Sequence, residues 1–198
     1  MQRRTFDILV SAIGAVMVVV LLVAGALLMW GYSFTNNYVH TQLSEQQITF
    51  PTQQEFANAK AGTEITPGMR PYLEQYAGQP LTTGAQAEAY ANHFIAVHLS
   101  EMPYGGVYSK ASAASLADPT NQKLAQQVNT IFRGTTLRGL LLSAYAFSMF
   151  GTIALWASIA AFALAAVMIV LVVLGFVHAR RTSEEEELLG HHHMAAAA

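Results

Sequence analysis

No cysteine occurs in these 198 residues. That excludes disulfides, thiolate metal sites, thiol nucleophiles and a lipidated N-terminal cysteine. Charge is scarce as well, at 11 % of residues against a globular norm of about 25 %. The net charge of −2 offers no basic surface for nucleic acid. The scarcity is concentrated in one place: between Arg138 and Arg180 there is no formally charged residue. What is present instead is apolar, with hydrophobic residues making up 53 % of the chain.

The uncharged run Gly139–Val177 exceeds one bilayer crossing. About 20 apolar residues span a hydrocarbon core of roughly 30 Å, whereas a straight helix over this run is about 58 Å long. A second apolar run, Ile8–Trp30, follows Arg3 and Arg4 and ends in Trp30, Tyr32 and Phe34. A secretory signal has a shorter core, about 7–15 residues, closed by small residues at a cleavage site. Here the core continues into Leu27, Leu28, Met29 and Trp30, and an interfacial tryptophan suits a retained transmembrane helix.

Arginine pairs flank the outer ends of both runs, Arg3–Arg4 and Arg180–Arg181. The positive-inside rule then places both termini in the cytoplasm, which requires an even number of crossings. Splitting the long run into two crossings puts one arginine pair on the wrong side and needs a turn that no Pro or polar cluster marks. Two crossings are therefore expected. Residues 1–7 form a cytoplasmic N-terminus, 8–30 the first transmembrane helix and 31–138 an extracytoplasmic domain. Residues 139–178 form a long helix whose membrane part is Ile153–Val177, with Gly151 as a point for a kink. Residues 179–198 form a disordered, acidic cytoplasmic tail.

Trp30–Ser44 reads as a continuation of the first helix, with Tyr38 and Leu43 as packing residues. Gln46–Tyr76, punctuated by Pro51, Pro67, Pro71, Gly62 and Gly68, reads as mostly irregular, with at best a short strand at Ile48–Phe50. Thr83 is an N-cap for a helix through Leu99 whose apolar face is Tyr90, Phe94 and Val97. The stretch YGGVYSKAS after Pro103 reads as a tight turn, and Asp118–Pro119 as a helix start. The fold class expected is an all-α membrane protein: two transmembrane helices and, between them, a small, mostly helical, loop-rich extracytoplasmic domain.

Residues with catalytic potential do not assemble into a site. His93 and His98 are five apart, about 140° around an α-helix, so they do not share a metal. Glu88 and Glu101 flank one helix without forming a pair, and no nucleophile elbow or phosphate loop is present. No catalytic residue, cofactor or metal is expected. Glu184–Glu187 reads as a solvated acidic tail. His191–His193 with the alanines after it reads as a tag or a natural tail. Arg133 and Arg138 are candidates for contact with anionic lipid headgroups or an acidic neighbour, against ordinary snorkelling. Tyr145, Phe147, Phe150 and Trp156 are expected on an interfacial or partner-facing surface. Tyr90, Phe94, Tyr104 and Tyr108 are expected to line a packing face or a ligand pocket.

Several segments together carry a family resemblance: the helix ending in Trp30–Gly31, QLSEQQITF at Gln42–Phe50 and AEAYANHFIAVHL at Ala87–Leu99. GGVYSKAS at Gly105–Ser112 and NTIFRGTTLRGLLLSAYAF at Asn129–Phe147 complete it. With these the chain resembles a group of actinobacterial two-helix membrane proteins of unknown function, many labelled "aromatic ring-opening dioxygenase". That label does not fit these residues, because a non-haem iron site needs two histidines and a carboxylate on one face. The segment PTQQEFANAKAGTEITPGMRP and the acidic tail depart from the group. The function expected is a non-catalytic accessory or assembly subunit of a larger membrane complex, for which the resemblance implies the respiratory bcc–aa3 supercomplex as host. Its partners are then membrane lipids and other integral membrane subunits in a hetero-oligomer. The alternative is a cell-envelope protein that binds or senses a lipid or small ligand.

Overall fold

The computed structural model describes residues 3–181, and among these every helix or strand longer than a single bridge is helical. The expected acidic tail at 184–187 and the histidines at 191–193 lie outside the described residues. In chain order the elements are α1 (Arg3–Glu45), α2 (Gln53–Ala57), α3 (Arg70–Leu73), α4 (Gly84–Tyr90), α5 (Ala96–Ser100), α6 (Tyr108–Ala117) and α7 (Gln122–Arg181). Short 3-10 turns occupy Pro67–Met69, Glu74–Tyr76 and Pro103–Gly106, and a π turn, Ala91–Ile95, joins α4 to α5. The described residues divide into two units, 3–31 with 153–181, and 32–152.

The first unit is an antiparallel pair formed by parts of α1 and α7. Both helices are long and apolar enough to cross a membrane, yet only 22 % and 11 % of their most apolar stretches are buried. A core helix of a soluble protein would be mostly buried; an apolar helix exposed all round suits lipid. The seam between the two follows a 3.5-residue repeat. Less exposed positions recur at Asp7, Ser11, Gly14, Val18, Leu21 and Gly25 on α1. On α7 they recur at Ser158, Ala161, Ala165, Met168, Val172, Gly175 and Ala179. That spacing is the heptad signature of a left-handed crossing.

Small residues permit the approach, as close packing between apolar helices requires. A Cβ at Gly25 would stand 2.9 Å from Phe162, and one at Gly14 2.8 Å from Val172. The wholly buried Ser158 hydroxyl donates to the Gly25 carbonyl at 2.8 Å. At the end carrying the arginines, His178 Nε2 lies 3.8 Å from Asp7 Oδ2, an ion pair whenever the imidazole is protonated.

The second unit packs short helices around one core. Val39 and Leu43 of α1 and Leu141 of α7 meet Phe56 of α2, Leu73 of α3, Ala87 of α4 and Ile95 of the π turn. Gln46–Tyr76 is more ordered than its prolines suggest, which corrects the expectation of a loop-rich segment. Pro67 and Pro71 sit in the first turn of helical segments, where a missing N–H costs nothing. Thr52 and Glu55 form a capping box on α2: the Thr52 hydroxyl accepts from the Glu55 N–H while Glu55 Oε2 accepts from the Thr52 N–H at 2.6 Å. Phe56, Met69 and Leu73 are fully buried. The strand signal at Ile48–Phe50 yields one antiparallel bridge, Thr49 with Pro80.

Three other expectations change. The helix leading into the long run starts at Gln122, not Pro119. Asp118 instead ends α6 and accepts hydrogen bonds from Thr120 and Asn121, while Asn121 Oδ1 caps Leu124 N–H at 3.0 Å. The stretch after Gly106 forms the ten-residue α6 rather than a turn. Helix α7 also runs through Gly151 unbroken; the missing side chain there seats Thr35, whose Cβ would be 3.4 Å from an added one.

The hydrogen bonds from Thr52 hold the Glu55 carboxyl below its ordinary value of 4.5. A depressed folded-state value means the contribution is complete above the unfolded value and fades as pH falls through the folded one. Stability measured between about pH 5 and pH 3 is therefore expected to fall less steeply in Glu55→Gln, since glutamine keeps the box without titrating. An unchanged slope would show that the box carries no pH-linked stability.

Candidate interaction surface

The site residues are dispersed over the two units rather than gathered in one place. Tyr90 and Phe94 stack at 4.6 Å between centroids, and Tyr90 meets Phe50 edge-on at 5.5 Å. Beside them is a recess of about 200 Å³ lined by Phe50, Glu55, Glu64 and Ile65, among others, and Tyr104 and Tyr108 are not part of it. Burial, and then the Glu64 charge, push the Tyr90 phenol above its ordinary value. Tyr104 is exposed in the Pro103–Gly106 turn, and Tyr108 packs its ring 5.5 Å from Phe132. The four rings thus do not line a common pocket.

The histidines also go separate ways. His93 stacks on Tyr72 at 3.6 Å, while His98 Nδ1 donates to the Phe94 carbonyl at 2.8 Å. Among the described residues no group of three or more His, Cys, Asp or Glu side chains is placed to hold a metal.

Arg133 is exposed, but Arg138 is not a free snorkelling side chain. Its Nη2 donates to Asn92 Oδ1 at 2.8 Å, and Asn92 Nδ2 donates to Glu88 Oε1 at 2.7 Å. Glu88 and Asn92 are one helical turn apart, a spacing visible in the sequence once Arg138 is placed opposite them.

Phe147 and Phe150 stand out from α7 with 56 % and 68 % of their surface exposed, and Leu140 with 64 %. Tyr145 is half-buried, its main chain lying against Gly84, where an added Cβ would come 3.4 Å from the Tyr145 Cα. On α1, Phe34 and Tyr38 stack at 6.2 Å and are exposed as well. Between Tyr38 and the α7 residues Leu140 and Phe147 runs an apolar groove of about 280 Å³, floored by Val39, Leu43 and Leu141. Tyr38 therefore belongs to this open surface, while Leu43 packs in the core as expected. In the helix pair Trp156 is exposed too. The groove was not read from sequence; the signal for it was the apolar run continuing through 139–152 with bulky side chains on one side of the helix.

An uncovered apolar groove with aromatic rims has the chemistry of a protein- or lipid-binding surface. No family model, curated protein or solved structure matches the chain.

Proposed function

We propose that the chain is a non-catalytic accessory or assembly subunit of a larger membrane complex. On this reading it crosses the bilayer twice, with both termini cytoplasmic and residues 31–138 extracytoplasmic. Its partners are membrane lipids and other integral membrane subunits in a hetero-oligomer. The resemblance noted from sequence makes the respiratory bcc–aa3 supercomplex of actinobacteria the host to test first.

The observation that carries the reading is excess apolar length. The uncharged part of α7, residues 139–179, is about 60 Å of helix against roughly 30 Å of hydrocarbon. Lipid covers only about half of it. Leu140, Phe147 and Phe150 nonetheless remain exposed, although a patch of this kind is uncommon on a free-standing surface. A neighbouring subunit would remove it from water, contributing about 25 cal/mol for each Å² of apolar area covered.

Extraction in a mild detergent followed by native mass measurement tests the proposal. The chain is expected in a particle several times heavier than its own 21.4 kDa, together with other integral membrane proteins. Recovery solely as a lone chain at every mild condition would count against it.

A further inference from the structure

We infer that the recess beside Arg138 is a binding site for a phosphate-sized oxyanion drawn from solution, with inorganic phosphate as the simplest case. The recess, about 210 Å³, is lined by Ala96, Leu99, Ser100, the Gly105–Gly106 turn, Thr135 and Arg138. Arg138 is the one charged residue in that lining. Thr135 stands one turn before it on α7, so the two residues share one face of the helix and one wall of the recess.

The guanidinium is held but not neutralised. Of its five donors, one bonds to the neutral amide of Asn92, and no carboxylate makes an ion pair with it among the described residues. Its Nε is shut away from solvent and has no acceptor. A donor left this way is destabilising, and a small shift of the side chain toward an oxyanion would relieve it. Asn92, tied to Glu88, keeps the group from swinging away. A fixed planar fork without a counter-ion is the arrangement that recognises phosphate oxygens in pairs.

The opposite wall depends on glycine. Tyr104, Gly105 and Gly106 all have positive φ, at 60°, 63° and 68°. A Cβ at Gly106 would collide with the Leu99 carbonyl, so the backbone comes in closer than any side chain permits. Leu99 in turn reaches Gly134 of α7, where an added Cβ would stand 2.9 Å away. The recess is thus formed by close backbone contacts rather than by a loose loop.

The inference is independent of the accessory-subunit reading and can fail alone. The full chain in phosphatidylcholine nanodiscs is titrated with inorganic phosphate, with chloride matched for ionic strength, and binding is read by calorimetry and by the rise in melting temperature. Saturable binding at millimolar phosphate is expected, at least tenfold weaker in Arg138→Gln and intermediate in Arg138→Lys, which keeps the charge without the fork. The same titration is expected in phosphatidylglycerol nanodiscs, since Arg138 stands about 22 Å of helix beyond Ile153, out of reach of the headgroups. Equal phosphate binding in wild type and a folded Arg138→Lys, or no phosphate response in phosphatidylcholine, would overturn the inference. So would stabilisation by an acidic peptide where phosphate has no effect.

Discussion

Phe56→Ala is expected to lower the stability of the middle unit by about 3–5 kcal/mol, the range for emptying a closed aromatic site. Helix α2 has only five residues, far below the length at which a helix holds itself in water. Its capping box directs the first turn, but the hold on the rest of the protein is the Phe56 ring, which has no exposed surface. Met69 and Leu73, equally buried, come from the neighbouring short segments. Removing the ring leaves a cavity under several elements that have little stability of their own. Because whole domains are stable by only about 5–15 kcal/mol, the variant should melt many degrees lower in detergent or nanodiscs. Phe147→Ala is the control: that ring is 56 % exposed, and the loss expected is below about 1 kcal/mol. A small loss for Phe56→Ala, followed by circular dichroism in urea, would mean that α2 is not pinned by the core.

The second large effect concerns association. Leu140→Glu with Phe147→Glu is expected to leave the fold intact and to strip the chain from its complex. Both side chains are exposed on α7, so in the isolated chain the new carboxylates stay in water. Under a partner they would be desolvated without counter-ions, at a cost of several kcal/mol each. With a tenfold change in affinity for every 1.4 kcal/mol, the loss should exceed about 100-fold. Co-purified mass, measured alongside the melting temperature, separates this outcome from unfolding. Retention of the same partners by a folded double variant would show that the groove faces no subunit.

The parts of the fold that were legible in the sequence are those decided by local chemistry. The Thr83 cap is present as read, its hydroxyl accepting from the Gln86 N–H. The first helix does continue past Trp30, to Glu45, since no proline or glycine-rich turn interrupts it. The long apolar run is one helix because nothing in it makes a turn.

The misreadings came where one short stretch carried competing local signals. Prolines 67 and 71 looked like breakers, but position within a helix, not presence, decides what proline does. Asp118–Pro119 looked like a helix start, but Asn121 took the cap three residues later. The grouping of Tyr104 and Tyr108 with Tyr90 and Phe94 rested on composition, and the three-residue left-handed turn sends the chain elsewhere first. The 3.5-residue seam of the helix pair was open to sequence reading, because Gly14, Gly25, Ala161 and Ala165 fall on it. It was hidden by an excess of small residues off the seam, such as Ala26 and Ala160.

The most direct measurement of the proposed topology is thiol labelling on intact cells, which the absence of native cysteine makes clean. Single cysteines introduced at Ser112 and at Ser183 are exposed to a membrane-impermeant maleimide before and after permeabilisation. With two crossings and both ends inside, Ser112→Cys reacts at once and Ser183→Cys only after the membrane is opened. Immediate labelling at position 183, or protection at position 112, would contradict that topology and with it the placing of the groove outside the cytoplasm.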